Sequence, residues 1–232
     1  ISKSLRAKGK VPKLSDSLND LAGDASLIRA LVRIGLGEQK GVSDLQELGK
    51  GDGDVANVAN DQIALNNLRL GDESAWSTCH TAKGDDGLST AMRYQAWMNA
   101  PDNAELNIDE LREGILQLET GDARNGLIWS LISALTKEEN FDEALQQISG
   151  LNIVDLKRFP ITLNLIEKSG DEALAEQVER NIHKIDDEGI HLIIQKEEAP
   201  LNLRSAAVIE IQERGGLQSE NLAAMALDIF TK

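Results

Sequence analysis

The chain has 232 residues, and its 39 Asp and Glu against 24 Lys and Arg give a formal net charge of −15 at pH 7. Aromatic residues make up only 3% of it, so aliphatic side chains must fill the interior, which favours helix packing over a β-sandwich. An acidic excess of this size repels nucleic-acid phosphates and anionic membrane surfaces, and we therefore expect no nucleic-acid partner.

The first 14 residues are the exception to this charge. They contain five Lys and Arg and no acid, which leaves −20 on residues 15–232. We interpret residues 1–14 as a basic, flexible arm. The alternative is that they flank a membrane segment further upstream, in which case the chain is a structural segment of a larger, membrane-anchored protein. The longest apolar uncharged stretch, residues 125–136, is shorter than the ~20 residues that span a bilayer, so we expect no membrane insertion of the chain itself.

A pair of residues, Gly followed by Asp, recurs along the chain at intervals of 48, 50 and 49 residues. Glycine can end a helix in the left-handed conformation, and aspartate can cap the next helix, so each pair predicts a turn between two helices. The pairs are Gly23-Asp24, Gly71-Asp72, Gly121-Asp122 and Gly170-Asp171.

Further turn signals keep the same phase, at Gly53, Pro101, Gly150 and Pro200. A fixed period of this length predicts a stacked helical array with three helical segments in each unit. We therefore expect an all-α fold, an α-solenoid or superhelix of stacked helical hairpins, built as one domain over residues 15–232. The units lie near residues 23–70, 71–120, 121–169 and 170–215, with a partial unit at 216–232.

The segment Trp76–His80 ends in a Cys-His pair like that of a c-type haem attachment site, but Trp76 stands where the first cysteine belongs. Ala75, Trp76, Cys79 and Ala82 fall at helical spacing, which favours a buried helix face instead. We expect no cofactor. Cys79 is the only cysteine, so no intrachain disulfide can form, and the cysteine content does not indicate the cellular compartment.

Residues 125–148 resemble one helical hairpin of the tetratricopeptide repeat family. The positions that match the interlocking residues of that family are Leu131, Leu135, Phe141, Ala144 and Ile148. The period of about 49 residues is longer than that of the family, so the chain resembles a degenerate, tetratricopeptide-like array. The resemblance implies protein or peptide binding on a concave face and transfers no individual ligand-contacting residue.

His183, Asp187 and His191 are the best candidates for a metal site, because the spacing i, i+4, i+8 aligns them if the helix is continuous. Two imidazoles and a carboxylate can hold zinc, and this motivates an alternative function, a metal-dependent helical enzyme. Gly189 and the surrounding acids instead predict a turn, which would separate the three side chains, and we assign no metal or catalytic residue.

The sequence contains no G-x-x-x-x-G-K-[ST] phosphate-binding loop, no nucleophile elbow and no H-E-x-x-H motif. We therefore expect a non-enzymatic interaction or scaffold module that presents an acidic binding surface to a protein or peptide. Long-range charge complementarity favours a basic partner.

Overall fold

Twelve α-helices make up the described part of the chain, which contains no β-strand. A computed structural model of the protein describes residues 14–101, 103–155, 157–215, 224, 227 and 229, with side chains from residue 22 onward. The expected all-α fold is therefore confirmed. The predicted arm, residues 1–14, and the partial unit, residues 216–232, lie almost entirely outside the described residues.

The helices of the first half are α1 (Leu14–Gly35), α2 (Gln39–Leu48), α3 (Asp54–Arg69), α4 (Trp76–His80), α5 (Gly87–Met98) and α6 (Ile108–Gln117). Those of the second half are α7 (Asp122–Lys137), α8 (Phe141–Ile148), α9 (Phe159–Ser169), α10 (Glu172–Arg180), α11 (Asp187–Gln195) and α12 (Leu201–Glu213). Short 3-10 helices precede α4, at Glu73–Ala75, and α11, at Ile182–Lys184. None of the described helices is long and apolar enough to cross a membrane.

The chain divides into two compact units, residues 1–102 and 103–232. Helices α1 to α5 belong to the first unit and α6 to α12 to the second. The expected single domain over residues 15–232 stays a prediction.

Three of the four Gly-Asp pairs mark helix boundaries as expected. Gly71, Gly121 and Gly170 have positive φ angles of 90°, 153° and 67°. The Asp171 carboxylate accepts a hydrogen bond from the Leu174 backbone N–H at 2.6 Å, as a helix cap does. The prediction of a turn at Gly23-Asp24 is wrong, because both residues lie inside α1.

Packing explains why Gly23 stands within a helix. A Cβ atom built on Gly23 would lie 3.3 Å from a methyl group of Val55 on α3, so the small residue lets the two helices approach closely. Gly41 on α2 is likewise buried against α1. The Arg33 guanidinium of α1 pairs with the Asp44 carboxylate of α2 and holds the same two helices together.

The core of the first unit contains two clusters of buried side chains. Ala30, Leu45 and Ala59 join α1, α2 and α3. The second cluster joins α3, α4 and α5, and it includes the predicted face of Ala75, Trp76, Cys79 and Ala82. That expectation is confirmed. The indole N–H of Trp76 donates a hydrogen bond to the Ala96 carbonyl oxygen at 2.9 Å, which fixes α4 against α5.

The second unit is arranged around α7. Nine residues of α7 between Gly126 and Thr136 are buried, and α6, α8 and α9 all contact this helix. A helix covered on several sides shows no single apolar stripe, which is why its sequence reads as one broad hydrophobic run. Arg112 of α6 donates two hydrogen bonds of 2.7 Å to the carboxylate of Glu143 on α8, so these two helices are linked as well.

The hairpin that resembles the tetratricopeptide repeat is present as α7 and α8. They are joined by a short turn in which Glu139 has a φ of 60°. Leu131, Leu135, Ala144 and Ile148 are buried, and Phe141 is half-buried. Beyond this hairpin, α9 contacts α7, α8, α10 and α11, and α12 contacts α10 and α11.

Candidate functional site

The three candidate metal ligands do not lie on one continuous helix. His183 belongs to the 3-10 helix Ile182–Lys184, whereas Asp187 begins α11 and His191 follows on that helix. Between them Ile185 is extended, with φ −81° and ψ 138°. The chain therefore breaks at residues 185–186, whereas Gly189, where the sequence predicts the turn, lies inside α11. Because of this break, the spacing of four residues no longer aligns the three side chains.

Arg214, at the end of α12, occupies this junction. Its guanidinium donates hydrogen bonds to the Asp187 carboxylate at 3.0 Å and to the carbonyl oxygens of Ile185 and His183 at 2.8 and 3.3 Å. Hydrogen bonds to Glu210 and Asp187 raise the pKa of Arg214 above its usual range, so the side chain is a fixed cation. A fixed positive charge beside Asp187 disfavours a second cation there, and the junction acts as a structural link between α11 and α12.

The rest of the described chain offers no metal site either. Among the described residues, no three His, Cys, Asp or Glu side chains converge so that they could hold a metal ion. His183 is exposed, and the Nε2 atom of His191 is buried without a hydrogen-bond partner.

The Cys79-His80 pair is part of the apolar core. Cys79 is fully buried, and burial raises the pKa of its thiol. The His80 imidazole stacks on the Trp76 indole, with ring centroids 4.5 Å apart and an interplanar angle of 11°. The segment is therefore a packed helix in which both chemically reactive side chains have structural contacts.

A cavity of about 560 Å³ opens in the second unit between the C-terminal end of α8, the loop of residues 149–154, and α10. Its volume falls within the ~300–1,000 Å³ of typical ligand-binding clefts. The loop leaves α8 sharply because Gly150, with a φ of 88°, takes a conformation that side-chain-bearing residues rarely adopt. The Leu151 backbone N–H then donates to the Ile148 carbonyl oxygen at 3.1 Å and closes the turn.

The floor of the cavity is aliphatic. Ile148 from α8, Val154 from the loop and Leu174 from α10 are buried, and Leu145 and Leu151 beside them are half-buried. A partly covered set of aliphatic side chains can accept an apolar group from a ligand, which would remove further apolar surface from water.

The rim carries polar side chains, mostly from one side of α10 and the residues that follow it. Asn181 accepts a hydrogen bond from the Lys184 ammonium group at 2.7 Å, and Asp171 is engaged as the cap of α10. Gln177, between them, is exposed, and within the described residues its side-chain amide forms no hydrogen bond. Asn152 adds a second amide from the loop side.

Sequence reasoning did not identify this cavity. Its lining comes from the end of α8 with the loop that follows it and from α10, which begins more than twenty residues after α8 ends, and no sequence pattern connects the two. The sequence signals beside it, Gly150 and the Gly170-Asp171 pair, indicated only turns.

No protein-family model, curated protein or solved structure matches the chain. The likeness to the tetratricopeptide repeat therefore rests on residues 125–148 and on helix packing that is compatible with a helical repeat.

Proposed function

We propose that the protein is a non-enzymatic module that binds a protein or peptide segment, and that the cavity between α8 and α10 is its binding site. The observation that carries the proposal is the combination of an aliphatic floor with a rim of amide side chains. A protein segment offers both matching chemistries, apolar side chains and peptide groups.

The helix contacts of the second unit support an array of stacked hairpins. The pairs α7–α8, α9–α10 and α11–α12 are in contact, and successive first helices contact each other, α7 with α9 and α9 with α11. Contacts that run mainly between neighbouring hairpins are typical of solenoid proteins, which bind partners along their extended surfaces. In this arrangement the cavity lies between two successive second helices.

The amide groups suit a peptide backbone in particular. Glutamine and asparagine side chains each carry a donor and an acceptor, which is the pair of functions that a peptide group requires. Gln177, whose side-chain amide forms no hydrogen bond within the described residues, and Asn152, whose amide oxygen accepts one from the Val154 backbone N–H at 3.4 Å, both line the cavity beside the aliphatic floor. We infer that an extended segment crosses the cavity with one apolar side chain on Ile148 and Leu174.

Charge favours a basic partner. Residues 103–232 contain 25 Asp and Glu and 12 Lys and Arg, a net charge of −13 for the second unit. Such a field attracts basic segments and accelerates their association, and salt weakens the effect. The cavity itself carries both signs, from Asp171 and Lys184, so the basic residues of the partner would flank the apolar anchor.

The test is selection of a phage-displayed library of random peptides on the immobilised 232-residue chain. We expect enriched peptides that combine a large apolar residue with a positive net charge and bind less tightly as salt increases. Ala173→Trp fills the cavity from its exposed edge and should abolish their binding, whereas Ala123→Trp, at an exposed site on α7, should not. Failure to enrich any peptide, or equal binding by the Ala173→Trp variant, would refute the proposal.

A further inference from the structure

The outer face of α1 carries aliphatic side chains that nothing in the described structure covers. Ile28 and Val32 of α1 are 62% and 57% exposed, and Leu36, which directly follows the helix, is 70% exposed. Opposite them, Ala30 is fully buried and Leu27 and Ile34 pack against the core of the first unit. Helix α1 therefore has two apolar faces, and among the described residues only one of them is packed against other helices.

The exposed residues Ala25, Ile28 and Val32 belong to a heptad pattern in the sequence. Alternating steps of four and three residues connect seven positions of α1, all aliphatic except for the glycine that ends the helix: Leu14, Leu18, Leu21, Ala25, Ile28, Val32 and Gly35. A strict series of this kind over three heptads is the seam of a coiled coil, and it is narrower than the stripe with which a helix packs on a globular core. With 22 residues, α1 offers a seam about 33 Å long.

The charges beside the seam fit a second copy of the same helix. Val32 and Ala25 occupy heptad position a, which places Asp24 at position g and Arg29 at position e. Both are exposed, and within the described residues neither forms an ion pair. In a parallel coiled coil, a residue at g faces the residue five positions later on the partner helix, so Asp24 of each copy would face Arg29 of the other.

The same charges disfavour the antiparallel arrangement. There position g faces g and position e faces e, so that Asp24 would meet Asp24 and Arg29 would meet Arg29. We propose that the protein forms a homodimer through a parallel, in-register coiled coil of α1, in which Ile28 and Val32 fill the seam and Asp24 and Arg29 pair across it.

The first test measures the mass of the full chain by sedimentation equilibrium. We expect a reversible dimer for the wild type and a monomer for the double variant Ile28→Glu/Val32→Glu. Leu116 of α6 is 83% exposed and lies outside the proposed seam, so the control variant Leu116→Glu should remain dimeric. A monomeric wild-type chain, or a double variant that still dimerises, overturns the proposal.

A charge exchange tests the orientation without altering the apolar seam, and it remains decisive if the glutamate variants fail to fold. A parallel dimer has two equivalent contacts between residue 24 of one copy and residue 29 of the other. Arg29→Glu makes both of them contacts between two acids and should raise the dimer Kd by about tenfold. The double variant Asp24→Arg/Arg29→Glu restores opposite charges and should bring the Kd back to near the wild-type value. If the double variant is as weak as Arg29→Glu alone, the parallel pairing is wrong.

Cross-linking provides an independent readout of register. In a Cys79→Ser background, Val32→Cys should form an intermolecular disulfide on mild oxidation, because identical positions of a parallel seam meet. Leu116→Cys in the same background should remain monomeric on a non-reducing gel. A Val32→Cys variant that does not cross-link, while the unmodified chain is a dimer, contradicts the in-register parallel arrangement.

Discussion

Gly41 of α2 lies against Ala30 of α1 so closely that a Cβ atom at position 41 would come within 2.7 Å of the Ala30 carbonyl oxygen. The backbone nitrogen of Ile34 would lie at the same distance from it. Both are backbone atoms, so the contact cannot be relieved by a side-chain rotation. The two helices can cross here only because position 41 has no side chain.

We therefore predict that Gly41→Ala lowers the free energy of unfolding by about 2 kcal/mol, the typical cost of forcing a methyl group into a filled core. Urea denaturation followed by circular dichroism measures this directly. The matched control is Gly87→Ala in α5, where nothing lies within 4 Å of the added methyl group and stability should be almost unchanged. Equal effects of the two substitutions would contradict the close crossing of α1 and α2.

Arg214 gives a second prediction, because it links the 182–187 junction to α12. Arg214→Ala removes hydrogen bonds to the Asp187 carboxylate and to the Ile185 carbonyl oxygen, and we expect the free energy of unfolding to fall by about 2 kcal/mol. Arg180→Ala is the control, since among the described residues Arg180 pairs with Glu176 alone, on the exposed surface of α10, and should matter by no more than ~0.5 kcal/mol. A wild-type unfolding curve for Arg214→Ala would show that the junction holds without this side chain.

Cys79 should be unreactive in the folded protein. Burial raises the pKa of its thiol, and the nearby Asp61 carboxylate adds to the shift, so little nucleophilic thiolate is present at neutral pH. We expect Ellman's reagent to react about two orders of magnitude more slowly with the native chain than with the chain in urea. Leu116→Cys in a Cys79→Ser background provides an exposed thiol for comparison. Equal rates for the two thiols would contradict the burial of Cys79.

Asp61 makes stability depend on pH in a direction opposite to that of a salt-bridged carboxylate. Burial, and then repulsion from Asp86, raise the pKa of Asp61, so the folded chain binds the proton more tightly than the unfolded chain does. The contribution of Asp61 to stability is thus greatest below its ordinary pKa and is lost as the pH rises through the raised value.

Asp61→Asn should accordingly raise the melting temperature at pH 7, and the gain should shrink as the pH falls below the ordinary pKa of aspartate. Calorimetry at several pH values measures the difference. Asp52→Asn removes one exposed carboxylate from the preceding loop and controls for the change in net charge. A lower melting temperature for Asp61→Asn at pH 7 would refute the interpretation.

Much of the helix arrangement could be predicted because it depends on local chemistry. Gly71, Gly121 and Gly170 stand at helix boundaries, where a positive φ favours glycine whatever the tertiary surroundings. Gly23 has the same neighbour in the sequence but lies within α1, where it packs closely against Val55. One residue type serves both purposes, and only the packing partner, distant in sequence, distinguishes them.

The cavity could not be predicted for the same reason. Leu145, Asn152 and Gln177 acquire a common environment only when α8, the following loop and α10 come together. Conversely, His183 and His191 had suitable spacing for a metal site, but two extended residues, Ile185 and Asp186, interrupt the helix between them. Spacing identifies a site only where the backbone conformation between the residues is also known.

The enclosure of α7 bears on how the second unit can be cut or rebuilt. Trp129 and its buried neighbours lose their cover if α6, α8 or α9 is removed, so these four helices have to be kept in any truncated version. Cleavage of the turn at residues 138–140, followed by separation of the two fragments, would expose a large apolar surface on each of them. We expect such fragments to aggregate and to lose the native fold. The hairpin that most resembles an independent repeat thus depends on α6 and α9 for the cover of its buried side chains.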